Sequence, residues 1–567
     1  MLESSVTDEG ADMGLRDANL AKIDGGTFDV LIVGGGINGA VSAASLAARG
    51  ASVAVIDRGD FANFTSMESS NLVWGGFKYL ENYELGLVRG LCRSRNHLMR
   101  AYPANLKEIR FLATLDEHSP YKPWFAALGS TAYWLIGNAF TKPPALLSRK
   151  RILAREPKVN VEGSSGGIEY SDAYIVDNDS RFVFGFIRSA LNSGAACANY
   201  VELVSAERTA EGWRAQLRDN DTGRELTANA RVIVNAGGPF VDDLNAMLGV
   251  TADHRIVYSK GIHLLVPRIA GSERVLAFFD DTERLFYVIP MGPRSVIGTT
   301  DERVDTPYTH VEDADRDFLL EQINARLNLD RPLTPADIIA SRCGVRPLVV
   351  EKSDESQEEQ DWTSLSRKHA LEVDPDAAAV SIFGGKLTDC VNIGNEVAEA
   401  VTELGISLAK DRGTWYGEPP KATRDEFFRQ ARLMHLDKLR QRASFETLST
   451  RLWRRYGLRA FAMLEAIRDD PSMAQDIIAG AEYVRVELYY AAQTEMITTL
   501  DDFLRRRSKI ALVLSYEEIR DADGIREACT LLFGDDADRR FDEYFTPERE
   551  AEAAELRSAD AAFPAPA

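Results

Sequence analysis

The feature that most constrains this chain is a glycine-rich turn between two apolar segments near its start. Residues 28–57 (FDVLIVGGGINGAVSAASLAARGASVAVID) have the pattern of a buried strand, a turn, an alanine-rich helix and a second strand. This order, over a length of about 30 residues, is typical of a βαβ unit with two parallel strands. The sequence therefore predicts an α/β fold that begins with a nucleotide-binding unit.

The turn has the spacing G-x-G-x-x-G and consists of Gly34, Gly35, Gly36, Ile37, Asn38 and Gly39. The first glycine permits the tight turn, the second lets a pyrophosphate approach the backbone, and the third lets the helix pack on the strand. Free N–H groups at the helix start then face the phosphates. Asp57, about 20 residues further on, is placed to accept a hydrogen bond from a ribose hydroxyl. The motif predicts a bound dinucleotide but does not distinguish NAD from FAD.

The charge and the cysteine content exclude several other classes of protein. The chain has 567 residues and a net charge of −21, which argues against a nucleic-acid binder. Its five cysteines are scattered and form no CxxC pair, so we expect neither a disulfide framework nor a metal site. The acidic start has no apolar signal segment, and we therefore expect a cytoplasmic protein.

Changes in composition divide the chain into five parts. We expect a flexible leader at 1–27 and a disordered tail at 546–567, because both are polar. Strand and helix patterns alternate over residues 28–410. Residues 411–424 contain Gly and Pro and are predicted to be a linker, and apolar residues at helical spacing predict helices over 425–545. The predicted architecture is an α/β domain with an interleaved mixed-sheet domain, followed by an all-α C-terminal domain. Strand candidates are 231–235, 262–266, 285–289, 295–298 and 379–383.

One apolar segment and two basic clusters bear on membrane attachment. Residues 123–141 carry no charge and include Trp124 and Trp134, which fits a buried helix or a helix lying in the membrane interface. Basic clusters at 451–455 and 505–507 fit solvated helix faces or contacts with anionic lipid. Peripheral attachment to the inner face of the cell membrane is therefore an open alternative.

Seven further motifs follow in a fixed order along the chain. They are TSMESSNLVWGGFKYLENYE (65–84), VIVNAGGPFVDDL (232–244), SKGIHLLVP (259–267), IGTTD (297–301), CGVRPL (343–348), SRKH (366–369) and FGGKLT (383–388). With this order and spacing the chain resembles the FAD-dependent glycerol-3-phosphate dehydrogenases over 28–389, and again in the helical part that contains TTLDDFLRRR (498–507). The resemblance implies an FAD-binding Rossmann-like domain in an enzyme that oxidises a polyol phosphate. The first expectation is oxidation of sn-glycerol 3-phosphate to dihydroxyacetone phosphate.

The same resemblance implies which residues contact the cofactor. FGGKLT ends a strand and starts a helix, so its N–H groups would face the flavin, and the helix dipole would stabilise a reduced, anionic ring. Hydroxyl groups in the 65–70 segment suit phosphate and flavin contacts. Besides the glycine turn and Asp57, the residues expected at FAD are Thr65, Ser66, Ser69, Ser70, Ala236, Gly237, Gly385, Lys386, Leu387 and Thr388.

Three basic residues match the family's cationic residues around the substrate. They are Arg346, Arg367 and Lys386. A phosphate dianion away from bulk water needs at least two such charges, and a guanidinium grips two oxygens at once. Lys386, next to the flavin, would also polarise the hydroxyl that is oxidised.

Oxidation of the carbinol also requires a group that removes the hydroxyl proton. His263 is our first candidate for this base, because an imidazole titrates near neutrality, and His369 is the second. Tyr79 matches a tyrosine near the substrate in the family. The resemblance implies that a hydride passes to flavin N5 and that the electrons continue to a quinone or another acceptor. A homodimer is allowed.

Three positions beside the expected site depart from the family pattern SSKLIHGGLRYLE. Asn71 stands in place of a lysine, Trp74 in place of a histidine and Lys78 in place of an arginine. These changes alter charge and pocket volume, so another sugar-alcohol phosphate, such as a tetritol phosphate, is an alternative substrate. An amine or amino-acid oxidase of similar architecture and a non-catalytic flavin-binding membrane scaffold also stay open.

Overall fold

The chain folds into an α/β part with two sheets and a helical part at its C-terminal end. A computed structural model describes residues 14–80, 83–117, 119–280, 283–353, 368–413, 415–439 and 445–558. The α/β class, the two interleaved sheets and the helical C-terminal part were all expected, and the structure confirms them. The five strand candidates are likewise confirmed, each inside a longer or equal strand.

The first sheet grows outward from the βαβ unit. β1 pairs in parallel with β2 and with β10, and β10 pairs in parallel with β18. The carboxyl ends of β1, β10 and β18 therefore lie at one edge, where a glycine-containing turn follows each strand. In spatial order the sheet contains β17 (Ala370–Asp374), β18 (Ala379–Phe383), β10 (Glu225–Asn235), β1 (Gly26–Val33), β2 (Val53–Ile56) and β7 (Ala196–Ala198), with β9 (Gly212–Asp219) paired to β10 and β8 (Val201–Thr209) paired to β9.

Helices cover this sheet and close its core. The alanine-rich α2 (Ile37–Ala48) packs between α6 (Asp179–Asn192) and α9 (Cys390–Glu403), and its small side chains are fully buried. The other helices of the α/β part are α1 (Leu15–Ile23), α3 (Leu85–Ala101), α4 (Pro123–Ile136), α5 (Arg149–Arg155), α7 (Val241–Leu248) and α8 (Asp313–Arg326).

The second sheet is mostly antiparallel and carries the long strand pair that faces the cleft. β11 pairs with β16 along their length, so His263 lies opposite Arg342 and Ser259 opposite Arg346. Opposed residues of an antiparallel pair share one face of the sheet. The strands are β15 (Glu302–Val304), β11 (His254–Pro267), β14 (Arg294–Gly298), β13 (Leu285–Met291), β12 (Arg274–Phe279), β4 (Leu106–Leu115), β6 (Gly166–Ile175) and β3 (Leu72–Val73), with β16 (Ala340–Glu351) on β11 and β5 (Ala145–Leu147) on β6.

The C-terminal part is helical, with two apolar clusters of its own. A six-residue π-helical turn, Asp502–Arg507, connects it to the α/β part. Its helices are α10 (Lys421–Leu433), α11 (Leu448–Tyr456), α12 (Ala460–Asp469), α13 (Arg485–Thr494), α14 (Ile510–Val513), α15 (Tyr516–Arg520), α16 (Ile525–Phe533), α17 (Ala537–Tyr544) and α18 (Pro547–Arg557).

Both ends of the chain are more ordered than the sequence suggests. The prediction of a flexible leader is wrong for residues 14–27, since α1 buries Leu20 and Ile23 against the first sheet and β1 already begins at Gly26. The disordered tail is wrong for 547–557, which form α18. Residues 1–13 and 559–567 lie outside the described residues.

The two basic clusters considered for lipid contact are buried ion pairs, so that interpretation is wrong. Arg507 is 0% exposed and forms a bidentate pair with Asp60. Arg455 pairs with Asp177 at 2.8 Å and with Glu487 at 2.6 Å. These guanidinium groups bind protein carboxylates and are not available to a lipid surface.

The apolar 123–141 segment contains α4, which is only partly buried. Trp124, Leu128 and Leu135 are each about 60% exposed, whereas Tyr133 on the opposite face is buried. No helix in the described part of the chain is both long and apolar enough to cross a membrane.

Candidate active site

A cleft opens at the carboxyl edge of the first sheet, over the glycine turn. Gly34 has φ +107°, and a Cβ there would lie 2.8 Å from the carbonyl carbon of Ala236 at the end of β10. Glycine is therefore required where these two strand ends meet. A Cβ on Gly39 would likewise lie 3.0 Å from the carbonyl carbon of Gly34, which explains the third glycine of the motif. Ala236 and Gly237 line the cleft, and their contact with FAD stays a prediction.

Asp57 fixes the glycine turn and also lines the cleft. Its carboxylate accepts N–H hydrogen bonds from Gly35 at 2.7 Å and from Gly59 at 2.9 Å. Burial raises the pKa of Asp57 to about 6, and the two N–H groups oppose that rise. The carboxylate is thus held at the end of β2, and its contact with a ribose hydroxyl stays a prediction.

The hydroxyl segment after β2 divides into a part inside the cleft and a part outside it. Ser66 Oγ accepts the N–H of Ile37 at 3.0 Å, and Thr65 Oγ donates to the carbonyl of Val345 at 2.8 Å. Thr65 and Ser66 line the cleft. Ser69 instead donates its hydroxyl to Asp179 at 2.7 Å. Contacts of FAD with Ser69 and Ser70 are not indicated by this geometry and stay predictions.

The FGGKLT segment forms the far wall of the cleft. Gly384 and Gly385 have φ +64° and +110°, and a Cβ on Gly385 would lie 2.9 Å from Asn38 Oδ1. A short 3-10 turn, Leu387–Asp389, then leads into α9. Thr388 Oγ donates to the carbonyl of Trp74 at 3.3 Å. The strand end and helix start expected from the sequence are present here.

The cleft fits FAD in both size and chemistry. The space between its walls, including the part open to solvent, is about 1120 Å³, somewhat more than the roughly 1,000 Å³ of large ligand pockets. The amino end of α2 and the glycines ahead of α9 line it, and helix amino ends attract pyrophosphate and other anions. Asn38 Oδ1 is buried with no hydrogen-bond partner among the described residues, which leaves an acceptor available to a cofactor N–H or hydroxyl.

Lys386 lies at one end of this cleft, on Tyr79. Its Nζ donates to Tyr79 Oη at 2.5 Å and lies 4.1 Å from the centre of the tyrosine ring. Two residues before Lys386, the Cα of Gly384 faces β16, because a Cβ there would lie 3.4 Å from the carbonyl oxygen of Pro347. Lys386 and Arg346 therefore belong to segments that touch at this end of the cleft.

Arg346 lies across β11 and is held by polar groups of the neighbouring strand end. Its Nη1 is 2.9 Å from Asp301 Oδ1, and its Nη2 is 2.8 Å from Thr299 Oγ. The guanidinium rests on Gly261, where a Cβ would lie 2.5 Å from Arg346 Cζ. About a quarter of the Arg346 side chain is exposed, so the guanidinium is oriented and still accessible.

His263 lies on the same face of β11, between two guanidinium groups. It is 4% exposed, and its Nδ1 has no hydrogen-bond partner among the described residues. Burial, together with the charges of Arg342 and Arg346, lowers the pKa of His263 to about 3. The imidazole is therefore neutral at neutral pH, as a base must be.

The remaining predicted site residues are placed differently. Arg367 lies outside the described residues, so its role stays a prediction. His369, the second candidate base, has Nε2 2.6 Å from Glu396 and Nδ1 3.4 Å from Asp389. Its two ring nitrogens thus face carboxylates, whereas His263 Nδ1 has none.

Sequence reasoning missed Arg342, which packs beside His263. This guanidinium is fully buried, and its Nη1 donates to Asn71 Oδ1 at 2.8 Å and to the Ser69 carbonyl. Burial lowers the pKa of Arg342. Arg342 is four residues before Arg346 on one strand, so the two-residue alternation of β16 was a signal that both share a face. Arg342 ties the Asn71 segment to the strand that carries Arg346.

Sequence reasoning also missed a clamp between the C-terminal part and the loops beside the cleft. Asp60 accepts hydrogen bonds from Arg507 Nη1 and Nη2 at 2.7 Å each and from Arg506 Nε at 2.8 Å. Arg505 donates to the Met67 carbonyl at 2.5 Å. Asp60 and Met67 flank the segment that contains Thr65 and Ser66. The helical part therefore fixes both ends of this one segment beside the cofactor cleft.

The three departures from the family pattern occupy distinct places. Asn71 is buried, and Lys78 is exposed. Trp74 packs near Lys386, with its ring centre 6.1 Å from that of Tyr79. Trp74 is thus the departure that most directly reshapes the expected substrate end of the cleft.

Two family models match the chain. Residues 29–388 match the family described as FAD dependent oxidoreductase, and residues 430–539 match the C-terminal domain of alpha-glycerophosphate oxidase. The two matches correspond to the α/β part and to most of the helical part of the structure.

Curated relatives and solved structures agree with these matches. Glycerol-3-phosphate dehydrogenase 2 of Mycobacterium tuberculosis is 31% identical over 526 residues, which cover 89% of this chain and 85% of that protein. Aerobic glycerol-3-phosphate dehydrogenase of Escherichia coli is 29% identical, over 87% of this chain and 96% of that protein. The structure of a glycerol-3-phosphate dehydrogenase from Bacillus halodurans complexed with FAD has a TM-score of 0.72 at 21% identity, covering 97% of this chain and all of the other.

Proposed function

The chain belongs to the family of FAD-dependent glycerol-3-phosphate dehydrogenases, and we propose that it oxidises a polyol phosphate, sn-glycerol 3-phosphate first, to the corresponding keto phosphate. The enzyme is an FAD-dependent oxidoreductase. Bound FAD would be the oxidant, and it would accept the hydrogen of the carbinol carbon with two electrons, that is, as a hydride. The residues of this chain then have three tasks, which are to bind the phosphate, to orient the carbinol and to take its proton.

Phosphate binding is assigned to Arg346, with Lys386 close by. Asp301 and Thr299 hold the guanidinium in one orientation, so little side-chain entropy is lost when a second anion binds. Two positive groups at one end of the cleft favour a dianion over a neutral polyol. Lys386 Nζ, fixed by Tyr79, is placed to donate to the reacting oxygen as charge develops on it.

His263 is proposed as the group that takes the hydroxyl proton. A base whose pKa is about 3 is weak, and the two arginines contribute to that low value. A bound phosphate dianion would offset the positive charge of Arg346, and the pKa of His263 would rise toward its ordinary value. The imidazole would then be a stronger base when substrate is bound than when it is absent.

The observation that supports this proposal is that Arg346 lies near enough to His263 for its charge to lower the pKa of that imidazole, while Lys386, hydrogen-bonded to Tyr79, directly follows Gly385 of the cofactor cleft. The test is anaerobic mixing of the holoenzyme with a panel of polyols and their phosphates, with bleaching of the flavin absorbance as readout. We expect bleaching by sn-glycerol 3-phosphate and none by glycerol or by amino acids. Bleaching by an amino acid alone would favour the oxidase alternative, and no bleaching by any member would favour a binding protein.

A tetritol phosphate is the second candidate substrate, because Trp74 occupies the substrate end of the cleft where the family pattern has histidine. The same panel separates the two substrates. A kcat/KM for a tetritol phosphate more than tenfold above that for sn-glycerol 3-phosphate would reverse their order. Trp74→His is the matching variant, and it should shift the ratio toward sn-glycerol 3-phosphate.

Electron transfer to a quinone and peripheral membrane contact through α4 are further parts of the proposal. α4 exposes Trp124, Phe125, Leu128 and Leu135, and basic side chains lie close by in α5. Exposed aromatic and aliphatic side chains on one helix, near positive charge, suit the interface of an anionic bilayer. Flotation with anionic liposomes should carry the wild-type protein and leave a Trp124→Ser/Leu128→Ser variant behind. Flotation of both proteins alike would exclude α4 as the contact.

A further inference from the structure

Two neighbouring arginines, Arg188 and Arg459, have no ion-pair partner among the described residues. Arg188 is on α6, and Arg459 is in the short turn between α11 and α12 of the C-terminal part. Arg459 Nη2 donates to Asn192 Oδ1 at 3.1 Å, and Asn192 lies one helical turn after Arg188. The two guanidinium groups therefore lie side by side across the boundary between the two parts of the molecule.

Both side chains have buried N–H groups that no acceptor uses. Arg188 Nη2 and Arg459 Nη1 are buried without a hydrogen-bond partner among the described residues. Arg188 contacts the ring of Phe184, and Arg459 lies 5.9 Å from the ring centre of Tyr490. These ring contacts leave the N–H edges of the guanidinium groups unsatisfied, which is unusual for buried donors.

Neighbouring carboxylates do not neutralise the pair. Glu495 lies near Arg188, but both of its oxygens bind Arg181, at 3.0 Å each. Burial and the charge of Arg459 lower the pKa of Arg188 to about 9, despite the opposing charge of Glu495. The two arginines thus form a net positive cluster that is partly removed from water, in a chain whose net charge is −21. A bound anion would stabilise such a cluster.

We propose that Arg188 and Arg459 form a second anion site, separate from the cofactor cleft, which binds a phosphate-type dianion. A planar guanidinium grips two oxygens of phosphate, so two of them match the oxygens and the charge of one dianion. The side chains come from the α/β part and from the C-terminal part, and the bound anion ties these parts together. The site lies beside the interface where Arg181 and Arg507 already join them.

The test is thermal unfolding of the holoenzyme with inorganic phosphate as the probe, at constant ionic strength. Phosphate at about a hundred times its Kd should raise the Tm of the wild-type protein by about 2 °C. Arg188→Met and Arg459→Met, from opposite sides of the site, should each lose this shift. In phosphate-free buffer the Tm of Arg188→Met should equal or exceed that of the wild type, because one of two repelling charges is gone; Arg459→Met also loses the hydrogen bond to Asn192.

Two controls separate this site from the active site. Phosphate would also bind the cleft at Arg346, so the site variants are compared in an Arg346→Gln background, which lacks that ligand and should itself retain the shift. Arg468→Met, an exposed arginine of α12, should behave as the wild type does. The proposal is overturned if phosphate leaves the wild-type Tm unchanged, or if the shift survives in both site variants. It is also overturned if Arg188→Met is less stable than the wild type without phosphate, since the Arg188 guanidinium would then already be stabilised by a partner in the chain.

Discussion

The substitution Gly261→Ala adds one carbon atom, and it should weaken substrate binding without disturbing the fold. The Arg346 guanidinium rests on Gly261, and a Cβ there would lie 2.5 Å from Arg346 Cζ and 2.6 Å from Nη1. Non-bonded heavy atoms are comfortable at about 3.5 Å, so the guanidinium must move by about 1 Å. Gly261 does not have a positive φ, so alanine fits its backbone, and the flexible end of Arg346 absorbs the displacement.

The displacement should reduce activity and leave the fold intact. The guanidinium would leave Asp301 and Thr299, which hold it in place. Misplacing a binding group by about 1 Å lowers the rate roughly 10²-fold, equivalent to about 2.7 kcal/mol of transition-state stabilisation. We expect most of this loss in KM, since Arg346 is assigned to the phosphate in both the bound and the reacting state.

The assay is steady-state kinetics with sn-glycerol 3-phosphate, together with flavin content and Tm. Gly271→Ala is the matched control, since Gly271 is exposed in the loop after β11 with nothing within 4 Å of a Cβ. The control should match the wild type in all three measurements. A Gly261→Ala enzyme whose KM stays within twofold of the wild-type value would refute the assignment of Arg346 to the phosphate. A loss of bound flavin would show that the substitution also disturbs the cofactor cleft, and it would refute the expectation that only phosphate binding is affected.

Three further variants test other parts of the site. Lys386→Met should keep its FAD and slow anaerobic flavin reduction by about 10²- to 10³-fold in stopped-flow measurements, and a loss below tenfold would remove Lys386 from the oxygen-stabilising role. Because burial and two arginines hold the pKa of His263 at about 3, only the unfolded chain takes up this proton below about pH 6.5. The wild type should therefore lose up to about 1.4 kcal/mol per pH unit relative to His263→Gln between pH 6.5 and 4, and a constant difference in denaturant unfolding would contradict this. Arg507→Met should lower the free energy of unfolding by about 3 to 5 kcal/mol, because Asp60 loses its buried bidentate partner. Its control, Arg526→Met in an exposed pair with Asp538, should change the free energy of unfolding by less than about 1 kcal/mol, and equal losses would contradict the clamp.

The βαβ unit and the cofactor turn were predictable because their signals are local. Strand, turn and helix patterns in 28–57 depend on neighbouring residues, and Gly34 and Gly39 are required by contacts within the same unit and with Ala236. Arg346 and Lys386 were named from motifs that match a family, and no spacing in the sequence places them in one cleft. Their proximity depends on how the two sheets meet, which single-sequence patterns do not contain.

The ion pairs of the C-terminal part were beyond sequence reasoning for the same reason. Three consecutive arginines look alike whether they face solvent, lipid or carboxylates, and Asp60, the partner of Arg507, is more than 400 residues away. α1 was missed because the 1–27 segment as a whole is polar, although Leu20 and Ile23 suffice to anchor this short helix to the sheet. Arg342 could have been predicted, since it lies four residues before Arg346 on β16 and therefore on the same face of that strand.

The most direct test of a cationic phosphate site at the end of the flavin cleft is a comparison of two substrates in two enzymes. Anaerobic flavin reduction is measured with sn-glycerol 3-phosphate and with glycerol, in the wild type and in Arg346→Gln. Charge-assisted hydrogen bonds to the phosphate should favour the phosphorylated substrate by at least about 10²-fold in the wild type, and most of that preference should disappear in Arg346→Gln. An undiminished preference in the variant, or a wild-type enzyme that treats both substrates alike, would contradict the proposed site.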